Sequence, residues 1–129
     1  MIHRFVDNND GTITDNLTGL MWQKYTTPVK HSWKNAIHYC KNLEFVGYND
    51  WRLPSIQELQ SIVDYEQHNP AIYPVFSAES AWYWSSSTDA SSAHNAWYVV
   101  FSYGYVDSHP KIKSYHVRAV RGRPWLYDF

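Results

Sequence analysis

Asp10-Gly11-Thr12-Ile13-Thr14-Asp15-Asn16-Leu17-Thr18-Gly19-Leu20-Met21-Trp22 decides how the fold begins. Asp10-Gly11 is a tight-turn pair between short β-prone runs, because both residues tolerate the positive φ angles of a hairpin turn. Asn16-Leu17-Thr18-Gly19 reads as a second turn, and Leu20-Met21-Trp22 as a short apolar strand. Upstream, Phe5 and Val6 supply the strand that enters the first turn. The start of the chain is therefore a run of antiparallel strands.

Downstream of Pro28 the period changes. Ser32 has the character of a helix N-cap, and Trp33, Ala36, Ile37, Cys40 and Leu43 fall on one helical face. Residues 47–50 form a loop. Trp51-Arg52-Leu53-Pro54 then leads to a second helix from Ser55. Ser55 and Glu58 have capping-box spacing, in which each side chain satisfies an orphan amide of the first turn. Ile56, Leu59, Ile62 and Val63 make its apolar face. After Asn69-Pro70 the chain turns to short aromatic β-like runs, at 81–85, 96–103 and 116–121. In the clearest of these, Trp97, Val99 and Phe101 alternate with Tyr98, Val100 and Ser102. The first set is expected to hold the core and the second to face outward. Gly104 offers a turn. The expected class is α+β, with two helices packed on antiparallel sheets and the first strand paired with the last.

The chain has 129 residues, enough for a single domain spanning 1–129. Its 7 Trp and 11 Tyr suit both a compact β-rich core and a recognition surface. A formal net charge of −1 argues against nucleic-acid binding or membrane-surface attachment driven by bulk charge. Cys40 is the only cysteine, so packing without an internal disulfide must supply stability. Met1-Ile2-His3-Arg4-Phe5 has no apolar signal core and no segment approaches a membrane span, so the expected setting is virion-associated or cytoplasmic, without membrane insertion.

Patterns for chemistry are weak. An EF-hand reading of residues 6–11 fails because Val6 stands at a ligand position and no Glu follows at the required distance. Seven histidines include His31 and His38, yet there is no HExxH and no cysteine pair for zinc. Cys40 on an apolar helix face is expected to be an inert thiol, and Ser85-Ser86-Ser87 lacks a nucleophile-elbow frame. The expectation is no enzyme, no metal and no cofactor. Residues 97–116 differ in kind, since they mix rigid amphipathic rings with small hydrogen-bonding groups, the composition of adaptable binding surfaces. Lys111, Lys113, Arg118, Arg121 and Arg123 add positive charge against Asp107. Composition alone supports an ordinary sheet with exposed tyrosines equally well.

The opening stretch resembles the signature of the C-terminal domain of a Legionella collagen-like adhesin. So do Gly47-Tyr48, Asp50-Trp51-Arg52-Leu53-Pro54-Ser55, Glu58-Leu59, Tyr83-Trp84-Ser85-Ser86-Ser87, Ala96-Trp97 and Val117-Arg118-Ala119-Val120-Arg121-Gly122. The resemblance covers nearly the whole chain and implies a C-type-lectin-like fold. Related formylglycine-generating enzymes use a cysteine pair, which this chain lacks. Calcium-binding lectins use Glu-Pro-Asn and Trp-Asn-Asp motifs, and neither occurs here.

Residues 96–121 further resemble the variable region of proteins diversified by retroelements, in which adenine mutagenesis turns Asn-type codons into many others. Tyr98, Val100, Ser102, Tyr103, Tyr105, Asp107, Ser108, His109, Pro110, Ile112, Ser114 and Tyr115 are all reachable in this way. Trp97 and Lys111 are not and read as framework. Lys113 is framework or lies outside the scheme, and His116 stands at the edge of the segment. The resemblance implies a receptor-binding or adhesin module, such as a phage or viral variable protein. Its partner would be a protein or glycan ligand on a target surface, and its state monomer or trimer. The alternative is a glycosaminoglycan- or acidic-glycan-binding adhesin domain without diversification, using the five basic residues.

Overall fold

A computed structural model describes residues 3–124. Strands β1 (Phe5–Asp7), β2 (Thr12–Asp15) and β3 (Leu20–Gln23) form successive antiparallel hairpins. The Asp10 carboxylate accepts from the Thr12 amide at 3.0 Å, and Gly11 sits at φ +92°, so turn chemistry sets the first reversal. Helix α1 (Trp33–Lys41) starts at Ser32, whose hydroxyl accepts from the Asn35 amide. Helix α2 (Ile56–Gln60) carries the full Ser55/Glu58 capping box. It is shorter than its apolar period suggests: Ile62 and Val63 lie past its end in a turn and a bridge to Ile72, yet both are buried.

The second half holds β4 (Trp82–Asp89), β5 (Ser92–Val100) and β6 (Tyr105–Pro110), followed by β7 (Val120–Arg121). The strands form two antiparallel sheets, ordered β1-β2-β3-β7 and β4-β5-β6. The N- and C-terminal strands share one sheet, as expected, but the last strand pairs with β3, and β1 is the opposite edge. Three sequence boundaries shift. The 81–85 run continues as strand to Asp89 through an irregular register after Trp84, so the serine run belongs to a strand. Phe101 to Gly104 form a turn instead of extending β5. Of the 116–121 run only Val120 and Arg121 are strand, while His116 makes an isolated bridge to Tyr83.

Where β4 meets the end of β5 the sheet is covered on both faces, while the edge strand β6 has no buried residue. On one side Tyr83, Val99 and Phe101 join Ile13, Leu20, Trp22, Leu59 and Ile62 in one core. On the other, Trp84, Ala96, Tyr98 and Val100 join Ala36, Cys40, Trp51, Leu53 and Val117 in a second. Trp33 and Trp84 lock α1 to this sheet by donating their indole N–H to the Ser85 and His31 carbonyls, each at 2.9 Å.

Two arginines tie the layers together. Arg52 grips the fully buried Glu58 carboxylate in a bidentate pair at 2.7 and 2.8 Å. The same carboxylate accepts from the Ser55 amide, so the helix cap and the ion pair share one group. Arg118 is fully buried and donates to the carbonyls of Gln23, Lys24 and Ser77. Its guanidinium also faces the Phe76 and Tyr83 rings.

Candidate ligand-binding site

Register places the candidate residues. Across the sheet Trp82 stands opposite Val100, which stands opposite Tyr105. The next row is Trp84, Tyr98 and Asp107, and Ala96 faces His109. Directly paired residues share a face, so Trp82, Tyr98, Tyr105, Asp107 and His109 all project from one side of the sheet.

Tyr115 folds back onto that side and closes an aromatic cluster. Trp82 stacks on Tyr98 at 5.4 Å between ring centroids and meets Tyr115 edge-on at 5.3 Å. Tyr98 and Tyr115 lie 5.0 Å apart, and Trp84 lies beneath Tyr115 at 4.7 Å. His109 joins both hydroxyls: Nε2 is 3.1 Å from Tyr98 Oη, and Nδ1 is in hydrogen-bond contact with Tyr115 Oη. A neutral imidazole has one donor and one acceptor nitrogen, so one tyrosine accepts from the ring and the other donates to it. Burial first, and then the nearby Asp107 charge, push both tyrosine hydroxyls above their ordinary value.

The twelve candidate residues read from the sequence divide by burial. Tyr103, Tyr105 and Ile112 are strongly exposed, at 64%, 53% and 85%. Asp107, Pro110 and Ser114 are exposed as well, while Ser102, Ser108 and His109 are half-buried. Tyr98, Val100 and Tyr115 are buried, which corrects the expectation that they face outward. The period-two reading assumed one dry face and one wet face, but the end of β5 is dry on both, with Tyr98, Val99 and Val100 all buried. Ser108 also has a structural bond, donating at 2.7 Å to the buried Asp89 carboxylate. That bond and those from Ser91 hold the Asp89 carboxyl below its ordinary value.

Trp82 was not among the sequence candidates, though it is 38% exposed and caps the cluster. It lies outside 96–121, and only the strand register brings it beside Tyr98. A cleft of about 310 Å³ opens next to it, lined by Lys30, Ala81, Trp82, Ser114, Tyr115 and His116. His116 itself is buried against Tyr83.

A model of the Lcl C-terminal domain family matches residues 11–121 of the chain. The chain belongs to that family. No curated protein matches it. In this Lcl C-terminal domain the signature residues Arg52, Ser55, Glu58 and Arg118 are the buried ties described above, so they build the scaffold and leave the surface to other positions. Lys111 is likewise structural: its ammonium donates to the Ala93 carbonyl at 2.9 Å and lies 4.1 Å from the Trp33 ring.

The basic cluster proposed from sequence does not form a patch on the Lcl domain. Arg118 is interior, Lys111 is engaged, and Arg121 is paired with Asp50 at 2.6 and 3.0 Å over the Tyr48 ring. Lys113 and Arg123 are exposed. Cys40 is buried on α1, and desolvation pushes its thiol up to about 12. No described helix is long and apolar enough to cross a membrane.

Proposed function

We propose that the chain is a ligand-binding module of adhesin or receptor-binding type, diversified by a retroelement within 98–115, in a phage or viral variable protein. One observation carries this reading. Tyr103, Tyr105, Asp107, Pro110, Ile112 and Ser114 stand exposed on β6 and its flanking loops, beside the end of β5, which is packed on both faces. Such a scaffold tolerates change outside and orders little on binding. Tyr98, Val100 and Tyr115 then act as the floor under the variable surface.

The partner is a protein or glycan on a target surface, with no role for nucleic acid or membrane insertion. The module is non-enzymatic and works on a virion or in the cytoplasm. The loss of three of the five cations to internal contacts weighs against the acidic-glycan reading. Sequencing the DNA beside the gene tests the diversification. A near-copy of the 96–121 coding stretch, differing at adenines and lying next to a reverse-transcriptase gene, is the expected result. A locus without such a copy contradicts it.

A further inference from the structure

The sharpest chemistry on the exposed face is a carboxylate framed by rings. Asp107 projects from the same face as Tyr105 and His109, its neighbours two residues away on β6. Side chains so spaced stand about 7 Å apart. Trp82 lies on that face two strands away from Tyr105, about 10 Å across the sheet. The Trp82 and Tyr105 rings stand in one row and are both partly open to solvent, and Asp107 is exposed in the adjoining row. Among the described residues the Asp107 carboxylate accepts from the neighbouring Ser108 amide alone, at 2.8 Å, which leaves lone pairs for a ligand. It stands directly opposite Tyr98 in the strand register, next to the aromatic cluster. The nearby Lys111 is turned away to Ala93 and Trp33.

Aromatic faces attract cations, and a guanidinium both stacks on rings and meets a carboxylate through two parallel N–H bonds. We infer that the face bounded by Trp82, Tyr105 and Asp107 binds an arginine side chain presented by a protein partner. This rests on the ligand-binding reading and gives the partner of this particular variant its chemistry. A ligand of opposite sign would instead use the cleft beside Lys30.

The test titrates the full chain with three capped tripeptides, Gly-Arg-Gly, Gly-Lys-Gly and Gly-Glu-Gly, followed by amide and indole NMR shifts. The arginine peptide is expected to move the Trp82 indole N–H and the Tyr105 and Asp107 amides. Asp107→Asn, a near-isosteric change at an exposed site, should weaken it about tenfold, the effect of losing one charge-assisted bond. Equal binding of the lysine peptide, preferential binding of the glutamate peptide, or indifference to Asp107→Asn overturns the assignment. If the arginine peptide fails while libraries at the exposed positions still yield binders, the arginine assignment falls and the ligand-binding reading stands. If the libraries fail as well, both fall.

Discussion

The Tyr98 hydroxyl lies 3.1 Å from Nε2 of His109, and the pair sits directly under the Trp82 ring. A residue from the middle of the candidate binding segment is thereby made part of the floor. His109→Ala strips a partner from both the Tyr98 and Tyr115 hydroxyls. The expected loss is about 1–3 kcal/mol, the penalty for leaving a buried polar group unmatched. Urea unfolding measures it, and His109→Gln, which keeps a hydrogen-bonding tip, should recover part of the loss.

Gly104 sits at φ +89°, and a Cβ there would lie 2.6 Å from Val63 Cγ1. Gly104→Ala therefore meets both backbone strain and a clash, and should cost more than about 1 kcal/mol. The neighbouring changes Tyr103→Ser and Ile112→Ser, at exposed sites, should stay within about 0.5 kcal/mol of the parent. Thermal melts of the three variants check the contrast.

Arg118→Met leaves the Gln23, Lys24 and Ser77 carbonyls without their donor. The expected destabilisation is at least about 1–3 kcal/mol, the penalty for a buried acceptor left unmatched. Heparin retention by a folded Lys113→Ala, Arg123→Ala double variant should match the parent. A marked drop in its elution salt would restore the acidic-glycan reading.

His116 gives stability a pH dependence. Burial holds its imidazole below the ordinary 6.5, so the unfolded chain binds the proton more readily than the folded one. Its contribution is thus intact above 6.5 and declines as pH falls below that value. Between about pH 7 and pH 5, His116→Phe should flatten the fall in unfolding free energy measured by urea titration. An unchanged slope would place the titrating group elsewhere.

Local chemistry made much of this fold readable. The Asp10-Gly11 turn, the Ser32 cap and the Ser55/Glu58 capping box each act within a few residues, and each appears where the sequence put it. What escaped depends on contacts distant in sequence. Tyr98 and Val100 looked exposed because alternation separates two faces without saying whether both are covered. Arg118 looked like surface charge, although the buried neighbours Val117, Ala119 and Val120 signalled an interior run. Trp82 became a site residue only through its register with Val100 and Tyr105.

The central claim is that the exposed residues of this segment bind while its buried ones hold the fold. Two display libraries of the full chain test it, one randomised at Tyr103, Tyr105, Asp107, Ile112 and Ser114, the other at Tyr98, Val100 and Tyr115. Each is sorted for surface display and then for binding to purified lysozyme and streptavidin. The account predicts that the first library displays at the parent's level and yields binders, while the second mostly fails to display. Equal loss of display from both, or a first library that folds but yields no binder to either protein, would contradict it.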